Sequence, residues 1–159
     1  MRMGQGVEWG AHCCLLIGWL GGEQAVPTSR LAEAFELPTA YLNKCLQALS
    51  RAGILSSTAG AKGGFRLARP LAEITLLDVV VAIEGPDEAF HCTEIRKKGM
   101  GADRPPSDFV QPCGISRAVR RAELNWREEL ASHTLADLAL QAPTGAAAAA
   151  AQWFARSGN

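Results

Sequence analysis

The chain has 159 residues, of which 48% are hydrophobic and 20% are charged, and its 16 basic and 16 acidic side chains give no net charge. This composition excludes wholesale disorder and is typical of one compact functional unit. Because the net charge is zero, any affinity for nucleic acid has to come from the local placement of basic side chains. The apolar stretch at residues 10–21 is too short to span a bilayer, and Glu8 and His12 interrupt a secretory-signal pattern, so we expect a cytoplasmic protein with no membrane partner.

The five cysteines fall into two groups. In a reducing compartment, metal binding, catalysis or burial is favoured over a disulfide framework. Cys13, Cys14 and Cys45 have apolar neighbours, which predicts small buried hydrophobic side chains. Cys92 and Cys113 bracket most of a stretch rich in proline, glycine and charge, so they are the cysteines with candidate chemistry.

Three helices are predicted in the first third of the chain. They cover residues 7–20, a short segment that opens at Pro27 and Thr28, and residues 39–52, for which Thr39 is a candidate N-cap. Apolar residues of the third helix recur at three- and four-residue steps and are expected to face the core: Leu42, Cys45, Leu46 and Leu49. Two short helices with a tight turn between them form the helix-turn-helix pattern, which places the second helix in the major groove of DNA.

A β-hairpin wing is predicted after the third helix. Residues 54–58 and 65–68 have the pattern of two strands, and the linker between them is rich in glycine. Between Thr39 and Pro70 there is no acidic residue but there are five basic ones, namely Lys44, Arg51, Lys62, Arg66 and Arg69. A segment with basic residues and no acidic ones attracts the negatively charged phosphate backbone of DNA. DNA binding is therefore favoured over a basic surface that is merely solvated.

The second half of the chain is predicted to hold a helix, a long loop and further helices. Residues 74–84 form a helix with Thr75 as its cap, and residues 85–112 show no sustained period, which is typical of a long loop that is either functional or disordered. Residues 115–131 form a long helix with an apolar stripe, which we expect to pack against its twin in a homodimer. Thr134 caps a short further helix, and the alanine-rich tail is expected to hold a last helical turn pinned by Trp153 and Phe154.

Several spaced motifs carry a resemblance to a known family. They are Tyr41-Leu42-Asn43-Lys44, Leu49-Ser50-Arg51-Ala52-Gly53-Ile54-Leu55, Gly63-Gly64-Phe65-Arg66-Leu67-Ala68-Arg69-Pro70 and Ile74-Thr75-Leu76-Leu77-Asp78-Val79-Val80. Over about residues 1–140 the chain resembles the IscR/NsrR/RsrR family of winged-helix transcriptional regulators. The resemblance implies a mainly α fold with a small β-hairpin wing, that is, a winged helix-turn-helix plus a long dimerisation helix. It implies a non-enzymatic regulator that binds a pseudo-palindromic operator in double-stranded DNA as a homodimer.

The loop departs from the usual family pattern of three closely spaced cysteines, because it holds only Cys92 and Cys113. The chain is most similar to the RsrR-like redox regulators, on the segments 92–96, Pro112-Cys113, Val7-Glu8-Trp9 and His12-Cys13-Cys14. That resemblance implies a [2Fe-2S] cluster held by Cys92 and Cys113 of one subunit and by Glu8 and His12 of the other. Glu8 and His12 are four residues apart and share one helical face, so both can reach one metal. His91, Cys13 and Cys14 stay open as substitute ligands.

The resemblance also assigns the DNA contacts and the organisation of the chain. Arg51 and Lys62 are expected on phosphates or in the minor groove, and the start of the recognition helix supplies the other contacts, Thr39, Ala40, Tyr41, Asn43 and Lys44. The predicted organisation is a winged helix-turn-helix DNA-binding domain at 1–84, a cluster-binding loop at 85–113, a dimerisation helix and C-terminal helix at 114–142, and an alanine-rich tail at 143–159.

Two other functions compete with that of a cluster-binding regulator. The first is a regulator of the same fold without a cluster, in which Cys92 and Cys113 form a reversible disulfide or bind zinc. The second is a metalloenzyme built on Glu8, His12 and the loop cysteines. The enzyme is disfavoured because the sequence has no HExxH, nucleophile-elbow or phosphate-binding glycine motif.

Overall fold

The computed structural model describes residues 3–60 and 63–156, which are mainly helical with one two-stranded antiparallel sheet. The main elements are α1 Gln5–Trp19, α2 Thr28–Ala34, α3 Thr39–Arg51, β1 Leu55–Thr58, β2 Gly64–Leu67, α4 Leu76–Glu84, α5 Gly114–Ser132, α6 Leu135–Leu140 and α7 Ala146–Arg156. Short 3-10 turns lie at Leu71–Glu73, Ile95–Lys97, Gly99–Gly101 and Pro106–Phe109. The predicted fold class is confirmed: a mainly α chain with a small β-hairpin wing.

The described chain divides into two compact units. The smaller unit spans residues 87–129, and the larger unit contains the described residues up to Pro86 and from Leu130 onwards. The smaller unit is therefore an insertion in the sequence of the larger one. No helix among the described residues is long and apolar enough to cross a membrane.

Helix α1 runs through the core of the larger unit. Cys13, Cys14 and Ile17 have no solvent exposure, and α1 packs against α3, α4, α6 and α7. Two glycines allow the close approach of neighbouring side chains: a Cβ at Gly6 would lie 2.9 Å from the sulfur of Cys45, and a Cβ at Gly10 would lie 2.7 Å from a methyl group of Ile83. The burial of the three cysteines with apolar neighbours agrees with their sequence-based prediction.

The wing hairpin is joined to the segment that precedes α2. Strands β1 and β2 pair antiparallel with Leu55 opposite Leu67, and Val26 forms an additional antiparallel bridge with Phe65. A side chain at Gly64 would collide with the backbone carbonyl of Val26, so this close approach requires glycine. The bridge fixes the wing to the helix-turn-helix, and the sequence analysis did not anticipate it.

The helix caps confirm two predictions and correct a third. Thr75 and Thr134 each form a capping box, with Asp78 and Asp137 at the third helical position. The two threonines also face each other in an isolated antiparallel bridge, which joins α4 to α6. The prediction that Thr39 caps α3 is wrong, because the cap position is Pro38 and Thr39 is the first helical residue, with no side-chain capping bond.

The alanine-rich tail forms more than the single turn expected from the sequence. Helix α7 covers Ala146–Arg156, and alanine has the highest helix propensity of the standard residues. Trp153 and Phe154 lie against Arg30 of α2, with the guanidinium carbon 5.2 and 5.0 Å from their ring centroids. The predicted role of the two aromatic residues in holding the tail is therefore confirmed.

The smaller unit consists of most of α5 and the loop with its three 3-10 turns. In α5, which is described over its whole length, Glu123 is the one buried residue. Its carboxylate accepts hydrogen bonds from the backbone N–H of Ala89 at 3.1 Å and from Arg127 at 2.9 Å, which ties the start of the loop to the helix. Of the predicted apolar stripe, Ile115 and Ala122 are exposed, with Ile115 at 69%, whereas Val119, Trp126 and Leu130 are half-buried.

Candidate nucleic-acid interface and cysteine site

Helix α3 presents the predicted DNA-contacting residues on its outer face. Six of the seven are exposed, namely Thr39, Ala40, Tyr41, Asn43, Lys44 and Arg51, whereas Lys62 lies outside the described residues. The residues predicted to face the core, Leu42, Cys45, Leu46 and Leu49, are all buried. The amphipathic spacing therefore gives α3 one face for the core and one face available to a nucleic acid.

Two of the exposed residues on α3 are also tied to neighbouring helices. The ring of Tyr41 meets that of Trp9 edge-on, with centroids 5.3 Å apart, and its hydroxyl is hydrogen-bonded to the Cys45 thiol. The hydroxyl of Thr28 on α2 donates to the side-chain oxygen of Asn43 at 3.3 Å. The orientation of α3 thus depends on both α1 and α2.

The basic residues of the winged helix differ in how available they are. Arg69 pairs with Asp78 at 3.2 Å and also donates to the backbone carbonyl of Glu73, so its charge is used inside the fold. Within the part of the chain that is described, neither Lys44 nor Arg51 forms an ion pair. Of the basic residues predicted to attract DNA, Arg69 is therefore neutralised by an ion pair, whereas Lys44 and Arg51 on the recognition helix keep their charges.

Cys92 and Cys113 lie together in the smaller unit. Cys113 directly precedes α5, and its sulfur accepts hydrogen bonds from the backbone N–H groups of Ser116 and Ile115 at the start of that helix. These two bonds, with further contributions from the positive charge of Arg96 and a hydrogen bond with Cys92, lower the pKa of the Cys113 thiol below its ordinary value. A thiol with a lowered pKa favours the thiolate, which is the form that binds metals and attacks disulfides.

Arg96 organises the loop around the two cysteines. One of its terminal nitrogens donates to the carboxylate of Glu94 at 2.8 Å and to the backbone carbonyl of Gln111 at 3.1 Å. Its guanidinium carbon lies 5.6 Å from the centroid of the Phe109 ring. Glu94 in turn accepts from the thiol of Cys92 at 3.5 Å and holds a left-handed backbone conformation with φ 48°. Arg96 therefore connects the segment after Cys92 to the segment before Cys113.

Sequence reasoning missed the role of Arg96. Residues 92–96 were recognised as a family motif, but no function was assigned to the arginine within it. The available signals were an acidic and a basic residue two positions apart beside a cysteine, and Phe109 as an isolated aromatic residue in a polar loop. Only the folded loop shows that these groups meet.

Glu8 and His12 lie together in the larger unit. Both are exposed on α1, one helical turn apart, and they line a pocket of about 230 Å³ with Trp9, Phe35 and Leu37. The four predicted ligands therefore form two separate pairs within one chain: Glu8 with His12, and Cys92 with Cys113. Among the described residues, no group of three or more His, Cys, Asp or Glu side chains is placed to hold a metal ion within one chain.

The remaining cysteines are poor substitutes for a metal ligand. Burial raises the pKa of Cys13 to about 12 and that of Cys14 further, and neighbouring thiols add to both shifts. Burial also raises the pKa of Cys45. These thiols are protonated at neutral pH and shielded from solvent, as expected for core side chains. His91 is exposed beside Cys92 and stays available as an alternative.

Comparison with known proteins identifies relatives over most of the chain. A family model described as Rrf2, an iron-dependent transcriptional regulator, matches residues 3–141. Protein aau3 of Rhizobium meliloti (strain 1021) is 34% identical over 122 residues, which cover 77% of this chain and 75% of that protein. The structure of CymR, the global cysteine regulator of B. subtilis, has a TM-score of 0.64 at 25% identity and covers 89% of this chain and 98% of CymR. The structure of T. potens IscR has a TM-score of 0.61 at 21% identity, covers 92% of this chain and 91% of that one, and shows the same fold.

These findings agree with the geometry of the larger unit. The family model spans the helix-turn-helix, the wing, the loop that holds Cys92 and Cys113 (the cysteine loop) and α5. It describes regulators of transcription rather than enzymes. The exposed face of α3 beside a β-hairpin wing is the part of such a protein that reads DNA. The chain belongs to the Rrf2 family of DNA-binding transcriptional regulators.

Proposed function

We propose that this regulator senses redox state through a [2Fe-2S] cluster held by Cys92 and Cys113 of one subunit and by Glu8 and His12 of the other. The observation that carries the proposal is the placement of the two loop thiols side by side, with Cys113 at the start of α5 where backbone N–H groups favour its thiolate. The iron dependence of the matched family supports the same reading.

The donor set suits the proposed cluster. Iron-sulfur clusters take cysteine thiolates as ligands, and imidazoles replace two of them in some [2Fe-2S] centres. Among the described residues of one chain, no further donors join the two thiols, and no second pair joins the exposed carboxylate of Glu8 and the exposed imidazole of His12. Two chains in a two-fold dimer complete both sites at once, because each chain contributes one pair to each site.

The dimer is proposed to form through α5. Ile115 is 69% exposed and the rest of the apolar stripe is only partly covered, so packing against the twin helix would remove these side chains from water. A two-fold dimer also presents two α3 helices to a pseudo-palindromic operator. The proposed DNA contacts are Thr39, Ala40, Tyr41, Asn43 and Lys44 on α3, with Arg51 and Lys62 on the backbone or in the minor groove.

Redox sensing requires a link from the ligands to α3. A bound [2Fe-2S] cluster would supply a one-electron redox couple, whose potential imidazole ligation raises relative to that of an all-cysteine site. Glu8 and His12 flank Trp9 on α1, and Trp9 contacts Tyr41 at the start of α3. A unit charge about 10 Å from another at an effective dielectric constant of about 20 interacts by roughly 1.7 kcal/mol. That energy is enough to change the balance between two packings of α1 more than tenfold.

Anaerobic purification followed by a visible spectrum and by iron and sulfide analysis tests the proposal. We expect a coloured protein with equal iron and sulfide, and loss or altered potential of the cluster in Cys92→Ser, Cys113→Ser, Glu8→Ala and His12→Ala. His91→Ala tests the alternative imidazole ligand, because it removes an exposed imidazole beside Cys92; if His12 is the ligand, the spectrum stays unchanged. A colourless wild-type protein, or a cluster indifferent to both Glu8→Ala and His12→Ala, would refute the proposed ligand set.

A thiol switch without a cluster is the second candidate. It is favoured by the hydrogen bond between Cys92 and Cys113 within one chain and by the similarity to CymR, a cysteine regulator. Hydrogen peroxide would oxidise both thiols to a disulfide and be reduced to two molecules of water. A metal-free protein in which peroxide produces a Cys92–Cys113 disulfide, located by mass spectrometry, and changes DNA affinity would establish this candidate. Zinc at the two thiols would be detected by metal analysis of the same sample.

A further inference from the structure

Helix α7 lies beyond the part of the chain that the family model matches. The match ends at residue 141, and α7 covers Ala146–Arg156. The helix is nevertheless integrated into the larger unit, since it packs against α1 and lies with Phe154 and Ala155 beside the segment that leads into α2. The contacts of α7 with the helix-turn-helix indicate which residues it holds in place.

Arg30 is the point at which α7 holds α2. Its guanidinium carbon lies 5.2 Å from the ring centroid of Trp153 and 5.0 Å from that of Phe154, and a terminal nitrogen donates to the backbone carbonyl of Phe154 at 3.1 Å. A further contact joins its Nε to the carboxylate of Glu33 at 3.9 Å. Only 21% of the Arg30 side chain is exposed, so its donors are directed into the protein.

The same turn of α2 is connected to the recognition helix. Thr28 lies two residues before Arg30, and its hydroxyl donates to the side-chain oxygen of Asn43 on α3. Asn43 is one of the residues expected to contact DNA. A chain of contacts therefore runs from Trp153 and Phe154 through Arg30 and Thr28 to the exposed face of α3.

We propose that Arg30 is a positioning residue for DNA binding, and that α7 belongs to the DNA-binding machinery as a brace that does not touch the DNA. Trp153 and Phe154 hold Arg30, which fixes α2 and, through it, the orientation of α3. If α3 adopts the orientation that binds DNA only part of the time, the apparent Kd for DNA is the intrinsic Kd divided by the fraction of molecules in that orientation. This inference depends on DNA binding by α3 and not on the presence of a cluster.

The test uses the full chain and a fluorescent 30-base-pair duplex that the wild-type protein selects from a random library. Arg30→Ala, the double variant Trp153→Ala/Phe154→Ala, and a chain that ends at Gly145 are each expected to raise Kd about tenfold, the size of effect that stacked and hydrogen-bonded guanidinium contacts produce. Because all three remove one brace, combining Arg30→Ala with the truncation is expected to add little. The slope of log affinity against log salt is expected to stay unchanged, because no phosphate contact is lost.

Two matched variants separate a brace from a direct contact. Arg30→Lys keeps the charge but loses the planar group that stacks and hydrogen-bonds, so it is expected to behave like Arg30→Ala. Arg156→Ala removes a charge from the last turn of α7 and is expected to bind normally. Wild-type affinity in Arg30→Lys, a salt slope lowered by about 0.9 in Arg30→Ala, or unchanged or tighter binding by the truncated chain would each overturn the proposal. Circular dichroism establishes that each variant is folded, and the iron content of each sample keeps the outcome separate from that of the cluster proposal.

Discussion

Replacement of Arg96 by alanine removes the side chain that connects the two ends of the cysteine loop. The hydrogen bond to the carbonyl of Gln111 at 3.1 Å is worth about 1 kcal/mol, as is typical of partly exposed bonds from a charged donor. The stacking of the guanidinium on Phe109 at 5.6 Å adds about 0.5 kcal/mol. The ion pair with Glu94 lies near solvent and adds little to the stability of the loop. A loss of about 1.5 kcal/mol increases the open population of the loop about tenfold.

Hydrogen exchange monitored by mass spectrometry measures this change. The amides of Lys97, Lys98 and Gly101 donate within the 3-10 turns beside Arg96, and we expect them to exchange about tenfold faster in Arg96→Ala. Arg104→Ala is the matched control, because Arg104 lies in the same loop and pairs with Asp108, but its side chain is 64% exposed. Equal exchange in the two variants, or exchange in Arg96→Ala at the wild-type rate, would refute the assignment of Arg96 as the organiser of the loop.

Three further predictions concern the larger unit and the start of α5. Hydrogen bonds from the capping threonine of α6 lower the pKa of Asp137, so its stabilising contribution is present above its ordinary pKa and lost as pH falls through the lowered value. Thermal melts should therefore show Asp137→Asn less stable than wild type at neutral pH and equal to it in strong acid. Fluorescence anisotropy in a salt series with the selected duplex should show the salt slope of DNA affinity reduced by about 0.9 in Arg51→Ala and unchanged in Arg69→Ala, whose charge is already paired. Urea denaturation should show a loss of about 2 kcal/mol in Gly64→Ala, where a Cβ meets backbone, and none in Gly114→Ala, where it meets nothing within 4 Å.

The features that the sequence predicted well depend on residues close together in the chain. The periodicity of α3 placed Leu42 and Leu49 in the core, and the capping boxes of Thr75 and Thr134 are formed with aspartates three residues later. One local error, Thr39 as a cap, arose because the preceding Pro38 takes the cap position, where it needs no backbone N–H of its own.

The features that escaped prediction are contacts between residues far apart in the chain. Neither residue of the Val26–Phe65 bridge carries a signal of its partner, and the same holds for Arg30 and the aromatic pair of α7. For the candidate site, residue types and the family resemblance singled out Cys92 and Cys113, and the structure places them side by side. In the sequence, Arg69 is one of the basic residues that favour DNA binding, but in the fold its guanidinium pairs with Asp78 of α4.

The insertion of residues 87–129 between two parts of one unit has a consequence for how the protein loses order. The bridge between Thr75 and Thr134 and the packing of α6 and α7 on α1 close the larger unit without help from the insertion. An unstructured loop costs only slightly more entropy as it lengthens, so the larger unit tolerates a disordered insertion. Heating should then melt the cysteine loop before the winged helix, and a calorimetric trace should show two transitions instead of one. A protein built in this way can lose the fold of residues 87–129, for example by proteolysis, and still retain a folded winged helix.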